Sequence, residues 1–410
     1  MLASSLLALG AASALAQPLS LEEALKAGES QSPRLAAQRS MINSAEAQVG
    51  RAAELPDPKL RLGIENLPVS GPDRFHYDRD FMTMRSVGVV QEFPNAAKRE
   101  ARNLRAGRMR DVEGANLSAQ RTALRRDIAT AWLEVHYAER ARDALQRLAK
   151  QFELQIQAVG AGIARGRQTA AEGYMLRHAL EQTNDRVIDQ ERMVARARIM
   201  LGSLIGEVAK RPLGELPDTT RFAHAPDELL AQLAEHPQLQ VLDRKQDLAR
   251  AEVELARSMR RTDWMLEVAY GQRRPYFDNM LSVMIAFDLP LQRERRQDRD
   301  IASRLAEFDQ ARAMREDARR MHEAEVRGWL ADFDAAARRI GRAERVLLPL
   351  ARERRAAALA AYQGARGELG AVLEAERTIT ETELGLIQAL AERAKAWANL
   401  NFLYLHEAVR

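Results

Sequence analysis

The chain has 410 residues, with 62 basic and 58 acidic side chains and a formal net charge of +4. Only 14 prolines and 22 glycines interrupt it, and 29% of its residues are charged while 5% are aromatic. This composition is typical of long helices and argues against an ordinary compact enzyme. Basic and acidic residues alternate, so no basic stripe for nucleic acid results. The chain contains no cysteine, which excludes disulfides, thiolate metal sites and cysteine nucleophiles.

Residues 1–16 are predicted to be an export signal. They are almost wholly apolar or small, and Ala14, Leu15 and Ala16 have the small-x-small form of a signal-peptidase site before Gln17. A basic residue before the apolar segment is missing, so a cytosolic N-terminal helix is the alternative. No later run of about 18 apolar residues follows, and no transmembrane helix is expected.

The sequence is a duplication of one architectural unit. Three pairs of matching positions indicate the duplication. Pro33 and Pro237 lie 204 positions apart, and so do the segments 60–64 and 264–268. Pro94 and Pro290 lie 196 positions apart. The change of offset indicates that a loop is shorter in the second half, since loops absorb length changes. We therefore predict a first repeat over 17–211, a linker over 212–227 and a second repeat over 228–410.

Each repeat is predicted to carry a long helical hairpin. No proline lies between Pro94 and Pro212, and apolar residues follow a heptad-like spacing in this stretch: Leu117, Leu124, Ile128, Ala131, Val135, Ala138, Leu145, Leu148, Phe152, Ile156 and Val159. This spacing predicts a helix over 95–160, which ends at the glycines of 160–166, and a return helix to 205. The second hairpin is expected over 293–405, with a kink at Pro349 and a turn at Gly364, Gly367 and Gly370.

Four short strands are predicted, near 58–67, 82–93, 263–271 and 280–289. Apolar and mixed residues alternate in them, and 9 aromatic residues fall in the windows 75–93 and 264–287, which resembles an interfacial girdle. Four strands cannot close a barrel, so strands in a bilayer require several copies of the chain. The alternative is a small sheet in water that is capped by helices.

Three stretches carry a resemblance to a known family. They are 56–68 (PDPKLRLGIENLP), 91–94 (QEFP) and 361–375 (AYQGARGELGAVLEA). In this order they resemble the TolC-like outer membrane efflux proteins over essentially the whole mature chain. The first stretch is most similar to the outer membrane components of heavy-metal systems, of the cobalt-zinc-cadmium and copper-silver kind.

The resemblance implies a mainly helical fold with a small β part. It implies a homotrimer in which an α-helical barrel continues a 12-stranded transmembrane β-barrel with four strands per chain. Its implied surroundings are outer membrane lipid, a periplasmic adaptor (membrane fusion) protein and an inner membrane RND pump. Such relatives conduct and do not catalyse, and they need no cofactor.

The resemblance also implies a gate at the periplasmic entrance. The family pattern places Tyr362 and Arg366 in the closing links and Glu374 in the acidic ring, while Ala371 stands where the family has its first acid. Glu368 is a substitute candidate for that acid. The alternative for Tyr362 and Arg366 is a purely structural role in the turn.

Two other features point to chemistry. Met82 and Met84 offer two thioethers on one predicted strand face, suited to transient contact with Cu(I) or Ag(I), although methionine is more often simple apolar filling. The glycines of 160–166 superficially resemble a dinucleotide-binding turn, but the preceding residues continue the helical seam. The histidines show no metal-binding spacing, and neither a nucleophile elbow nor a phosphate loop is present, so no enzyme is predicted.

Two functions follow as hypotheses. The first is a passive outer membrane duct, with metal cations as leading cargo and organic compounds or a secreted protein as alternatives. The second is a periplasmic coiled-coil scaffold or adaptor that never enters a bilayer. The four strands and their aromatic girdle favour the first.

Overall fold

The computed structural model describes residues 17–165, 168–221 and 225–404. The predicted signal segment 1–16, Gly166, residues 222–224 of the predicted linker and residues 405–410 of the predicted second repeat lie outside the described residues. In the described part, the chain is mainly helical with one four-stranded sheet, as predicted. No helix in that part combines the length and the apolar character that crossing a membrane requires.

Helices and strands alternate in the same order in both halves. The first half contains helices α1 (Leu21–Gln31) and α2 (Pro33–Ala52), strands β1 (Lys59–Glu65) and β2 (Met84–Phe93), and helices α3 (Ala96–Ala164) and α4 (Ala170–Ile205). The second half contains helices α5 (Pro226–Ala231) and α6 (Pro237–Ser258), strands β3 (Trp264–Gln272) and β4 (Met280–Phe287), and helices α7 (Gln297–Arg342), α8 (Leu348–Gln363) and α9 (Leu369–Asn401).

The sheet is antiparallel, in the order β1-β2-β3-β4. Each strand therefore pairs with its neighbour in sequence, and the outer edges of β1 and β4 have no strand partner among the described residues. Backbone N–H and C=O groups along such edges remain available for pairing with another chain.

Two compact units divide the chain, and neither coincides with one repeat. The first unit comprises 17–36, 118–237 and 319–404 within the described residues, and the second comprises 37–117 and 238–318. The second unit contains the whole sheet. The first contains the tips of both helical hairpins and most of the large buried side chains, such as Trp132, Phe152 and Leu400.

Pro349 does not break its helix. A π-helical turn over Ala343–Leu347 joins α7 to α8, and Pro349 lies in the first turn of α8. Proline lacks an N–H and its ring clashes with the carbonyl four residues earlier, so a wider turn before it keeps the helix continuous.

The glycines of the first hairpin act differently from the expectation. Gly160 and Gly162 lie inside α3, which ends at Ala164, within the predicted glycine segment 160–166 but four residues after the predicted end at 160. In the second hairpin, Gly370 lies inside α9 and the left-handed position is taken by Ala365, with φ of 55°.

Candidate functional site

The tips of the two helical hairpins meet through Tyr362. Its hydroxyl donates a hydrogen bond to Oε1 of Glu172 over 3.2 Å and accepts one from Nε2 of Gln168 over 2.7 Å. Tyr362 belongs to the last turn of α8, whereas Gln168 and Glu172 belong to the start of α4. One side chain therefore bridges residues about half the chain apart in sequence.

Local sequence explains why the two partners of Tyr362 are in place. Thr169 and Glu172 form a capping box, in which Thr169 Oγ1 accepts from the Glu172 N–H and the Glu172 carboxylate accepts from the Thr169 N–H. Gln168 lies over Gly162, where a Cβ would be 2.0 Å from its Oε1. Gly162 is thus needed for the close approach of this side chain.

An apolar cluster lies next to this polar bridge. Its buried members are Leu148, Phe152, Val159, Leu176, Ala179, Leu369 and Leu373, and the ring of Tyr362 packs against them. Burial raises the pKa of Tyr362; the hydrogen bond from Gln168 lowers it and the Glu172 carboxylate raises it, and the net effect is a raised pKa. Tyr362 is consequently a neutral hydrogen-bond donor at physiological pH.

A buried carboxylate joins other helices of the same two hairpins further along. Glu376 of α9 is 3% exposed and accepts hydrogen bonds from the amides of Gln151 and Gln155 of α3, at 2.7–2.8 Å. Arg355 of α8 adds an ion pair at 3.3 Å. Four polar contacts compensate for the loss of water around this charge, which a buried carboxylate requires.

The other predicted gate residues are exposed in the single chain. Arg366, Glu368 and Glu374 lie on the surface, and Glu368 precedes α9 without capping it through its side chain. The Arg366 and Glu374 side chains form no hydrogen bond or ion pair with the described residues, although the Arg366 N–H donates to the carbonyl of Ala361. The structure therefore brings Tyr362 into a contact and leaves the other three on the surface.

Met82 and Met84 do not share a strand. Met82 lies in the loop before β2, half exposed, and its carbonyl accepts a hydrogen bond from Asn66. Met84 is the first residue of β2, and its sulfur would be 2.9 Å from a Cβ at Gly271. In the described ranges, no group of three or more His, Asp or Glu side chains is arranged to hold a metal ion. The metal contact of the two methionines stays a prediction.

The sheet has one apolar face, and this face is exposed. Register places apolar residues side by side across the four strands in rows: Leu62, Val87, Tyr270 and Leu281; Leu60, Val89, Val268 and Val283; Phe93, Trp264 and Phe287. Exposed fractions in these rows reach 71% at Leu62. A protein in water buries its apolar sheet face and exposes the polar one, so this arrangement is inverted.

The opposite face carries charged and small residues together with the methionines at 84, 265, 280 and 284. Glu267 on it is only 7% exposed, and its carboxylate accepts two hydrogen bonds from Nη1 of Arg61, at 2.9 and 3.0 Å. Gly88 lies between Arg61 and Ala269 in the register, and a Cβ there would be 2.8 Å from that of Ala269. On this face the residues of the inner strands are covered at Gly88, Glu267 and Ala269, whereas those of the outer strands β1 and β4 are largely exposed. A polar face opposite an exposed apolar face is the pattern of a strand with lipid on one side and a polar lumen on the other.

Solved structures of this architecture are known. The chain superposes on VceC, an outer membrane protein of Vibrio cholerae, with a TM-score of 0.77 at 17% sequence identity, over 93% of this chain and 95% of VceC. For CusC, whose structures describe transmembrane channel formation, the TM-score is 0.80 at 15% identity, over 94% and 92% of the two chains.

A third match is the CmeC outer membrane channel of Campylobacter jejuni, with a TM-score of 0.77 at 12% identity, over 93% of this chain and 85% of CmeC. The fold is that of these outer membrane proteins. No family model and no characterised protein matches the chain by sequence. CusC forms a transmembrane channel and CmeC is an outer membrane channel.

Proposed function

We propose that the chain is a passive outer membrane duct that works as a trimer. The observation that carries this proposal is the inverted sheet. Its apolar rows form one exposed face, most of its charged residues lie on the other, and its strands of 7–10 residues are close to the length of about 9–11 residues that a tilted strand needs to span a bilayer.

Aromatic residues support the same orientation. Phe93, Trp264 and Phe287 form a row at the end of the sheet from which α3 and α7 continue. Phe81 and Phe277 approach each other in the loops at the other end, with ring centroids 6.4 Å apart. Two aromatic girdles that flank an apolar band are typical of membrane strands at their two interfaces.

Open sheet edges argue for several copies. In hydrocarbon, each unpaired backbone group costs several kcal/mol, so β4 of one chain pairs with β1 of the next until the ring closes. Three copies give a barrel of 12 strands, which agrees with the resemblance and lies in the range of known membrane barrels. A periplasmic scaffold that never enters a bilayer would not need an apolar sheet face of this kind.

The hairpin tips serve as the gate of this duct in the proposal. Tyr362 holds the two hairpins of one chain together, and the exposed Arg366, Glu368 and Glu374 are available to neighbouring chains. The partners are a periplasmic adaptor protein and an inner membrane RND pump. The proposed cargo is heavy-metal cations, on the resemblance of residues 56–68, with transient contacts at Met82 and Met84.

The test of the duct is membrane fractionation with a gel of unboiled and boiled samples. We expect the chain in the outer membrane as an oligomer that boiling dissociates, and we expect purified protein to conduct ions in planar bilayers. A monomer in the water-soluble fraction would contradict the proposal. Deletion strains that tolerate copper, silver, zinc, cobalt and cadmium as the parent does would contradict the cargo alone.

The test of the gate is Tyr362→Phe. The variant keeps the ring in its apolar cluster and removes only the hydroxyl that Gln168 and Glu172 bind, so we expect the closed state to lose about 1 kcal/mol and the open probability to rise about fivefold. Single-channel recording measures it. Tyr174→Phe is the matched control, because Tyr174 lies near the same tip and is 68% exposed. An unchanged open probability in Tyr362→Phe would remove the bridge from gating.

A further inference from the structure

The methionines of the sheet all lie on one of its faces. The four strands contain Met84, Met265, Met280 and Met284, and the register places each of them on the face opposite the apolar rows. Over the four strands, all of whose residues are described, the apolar rows hold leucine, valine and aromatic side chains but no methionine. Thioethers and hydrocarbon side chains are therefore sorted between the two faces.

Apolar filling alone does not explain this sorting. Methionine and leucine have similar volumes and replace each other readily in an apolar environment. On the methionine face, however, Val90 is the only other strand residue with an apolar side chain larger than alanine. Met280 and Met284 are 47% and 53% exposed there. Methionine differs from leucine in its sulfur, which is polarizable and a ligand for soft metal ions.

Two of the methionines lie on either side of Gly271. The side chain of Met84 lies over this glycine, since its Sδ would be 2.9 Å from a Cβ there, and Gly271 pairs with Met280 in the register. Arg273 Nη1 donates to Met280 Sδ over 3.8 Å, so this sulfur already offers its electron pair to a positive group. Glu65 pairs with Met84 in the register and offsets the charge of Arg273.

The other two methionines are diagonal neighbours on β3 and β4. Met265 pairs with Ala286, and Met284 pairs with Glu267, two residues further along β3. Such diagonal positions are about 7–8 Å apart, a distance that long side chains can span. Met280 and Met284 are four residues apart on β4, so the second pair lies about 13 Å along the strand from the first.

The charges beside the second pair are already matched. Glu92 pairs with Met265 in the register and forms an ion pair with Lys59, whereas Glu267 forms one with Arg61. No unpaired carboxylate therefore attracts a divalent cation at this level. The four strands also contain no histidine, the side chain that suits zinc. Neutral thioethers as the remaining ligands favour a soft monovalent ion.

We propose that this face binds a soft monovalent cation, Cu(I) or Ag(I), at two thioether pairs: Met84 with Met280, and Met265 with Met284. The inference rests on the proposed function, because this face lines a lumen only in the duct. There the two pairs form successive levels of weak sites. A cation that is held by neutral sulfur atoms leaves as readily as it enters, as conduction requires.

An organic cargo would use the same side chains differently. Apolar compounds contact methionine through its surface, and leucine offers them a similar surface. Replacement of methionine by leucine removes the sulfur and keeps the apolar volume, so it separates a metal ligand from apolar filling.

The test uses the purified full-length oligomer, dialysed against Ag(I) nitrate in a buffer without chloride. The variant combines Met84→Leu, Met265→Leu, Met280→Leu and Met284→Leu, and a gel of unboiled sample shows whether it assembles. We expect the unaltered chain to retain about two more Ag(I) ions than this fourfold variant, one for each thioether pair. Equal retention would overturn the proposal.

Two double variants test the pairs separately, and they also serve if the fourfold variant does not assemble. Met84→Leu with Met280→Leu and Met265→Leu with Met284→Leu are each expected to lose about one Ag(I) ion per chain, because each removes the sulfur atoms of one pair. Full retention of Ag(I) by both double variants would overturn the proposal as well.

Met314→Leu with Met321→Leu is the matched control, because these two thioethers of α7 are 54% and 57% exposed. We expect this variant to retain as much Ag(I) as the unaltered chain. A loss equal to that of the sheet variants would show that any exposed thioether binds Ag(I), and it would overturn the assignment. Mg(II), which prefers oxygen ligands, is the control ion and is expected to bind the unaltered chain and the fourfold variant equally.

Conductance in bilayers is recorded on the same samples in potassium nitrate. We expect micromolar Ag(I) to lower the potassium current of the unaltered protein more than that of the fourfold variant, since an ion bound in the lumen obstructs the others. A conducting protein whose Ag(I) retention ignores the four substitutions would contradict this inference alone. A protein that never inserts into bilayers would contradict the proposed function, and with it the lumen position of this face.

Discussion

His236 is a buried base with two aromatic neighbours. It is 5% exposed, its ring centroid lies 4.3 Å from that of His322, and Tyr404 approaches its edge with ring centroids 6.3 Å apart. Burial, His322 and Arg126 lower the pKa of His236 to about 3. The ring is therefore neutral in the folded chain over the whole physiological range.

The lowered pKa of His236 predicts that the folded chain is less stable at acidic pH. The pKa of His236 in the folded chain lies below the unfolded value of 6.5. The stabilising contribution of the neutral ring is therefore fully present above pH 6.5 and decreases as the pH falls towards 3. The free energy of unfolding is expected to fall by about 1.4 kcal/mol for each pH unit below 6.5, which is about 2 kcal/mol at pH 5. Urea unfolding followed by circular dichroism at pH 7.5 and pH 5 measures it.

His236→Phe keeps a ring in place and removes the proton-binding site. We expect its stability to change less between the two pH values than that of the unaltered chain. His178→Gln is the matched control, because His178 is exposed and its removal is expected to leave the pH dependence as it is. An identical pH dependence in His236→Phe would show that other groups cause the acid sensitivity.

Single residues at the hairpin tips show where sequence reasoning ends. The family resemblance predicts a role for Tyr362. The spacing of Thr169 and Glu172 is a capping-box signal, which points to Glu172 as the start of a helix. Gln168 and Glu376 carry no such signal. Their partners are far away in sequence, and a glutamine or a glutamate on a helix is usually solvated, so only the packed structure identifies them.

Most strands and helices can be predicted from the sequence, because apolar residues recur with a different period in each. The strand expected near 263–271 is Trp264–Gln272, and the helix expected over 95–160 is Ala96–Ala164. The extra turn at the end of α3 was missed because glycine lowers helix propensity, while packing of Gln168 over Gly162 in the tertiary structure favours the helix there. The sequence predicts a strand that includes Met82, because alternation does not show where strand pairing begins.

At the level of the sheet, Gly88 controls how closely β2 and β3 approach. In Gly88→Ala the new Cβ would lie 2.8 Å from the Cβ of Ala269 and 3.2 Å from the carbonyl oxygen of Val268, so the strands must shift. We expect a cost of about 1–3 kcal/mol and a lower temperature of oligomer dissociation. A gel of unboiled samples heated in steps measures this temperature.

Gly63→Ala is the matched control in the same sheet. Its Cβ would meet only the hydroxyl of Ser86, at 3.3 Å, and a side-chain rotation relieves that contact. We therefore expect a much smaller change than in Gly88→Ala. Equal effects of the two substitutions would mean that lost glycine flexibility, and not the close strand approach, determines the stability.

For the whole molecule, the open edges of the sheet predict which strands meet between copies. The chain has no cysteine, so a thiol introduced on β1 and another on β4 are the only two present. Leu60→Cys and Val283→Cys lie in one apolar row on the two outer strands. With a series of thiol crosslinkers of increasing length, we expect the double variant to give covalent dimers and trimers on a denaturing gel.

Each single cysteine variant is the control for this experiment. A thiol on one edge alone has no counterpart within reach on the neighbouring copy, so we expect covalent trimers only from the double variant. The absence of any covalent oligomer with every crosslinker, in a sample that conducts in bilayers, would show that β1 and β4 are not neighbours. A ladder that continues beyond three copies would contradict the trimer.

The inverted sheet also bears on biogenesis. If the chain is the proposed duct, a copy that has not yet assembled would meet water with apolar side chains exposed and backbone edges unpaired, and both would favour aggregation with other copies. Folding of the strands and association of the copies would then be a single step, completed at the lipid surface. Unassembled copies would need a chaperone to remain soluble, and a shortage of that chaperone would appear first as aggregated protein.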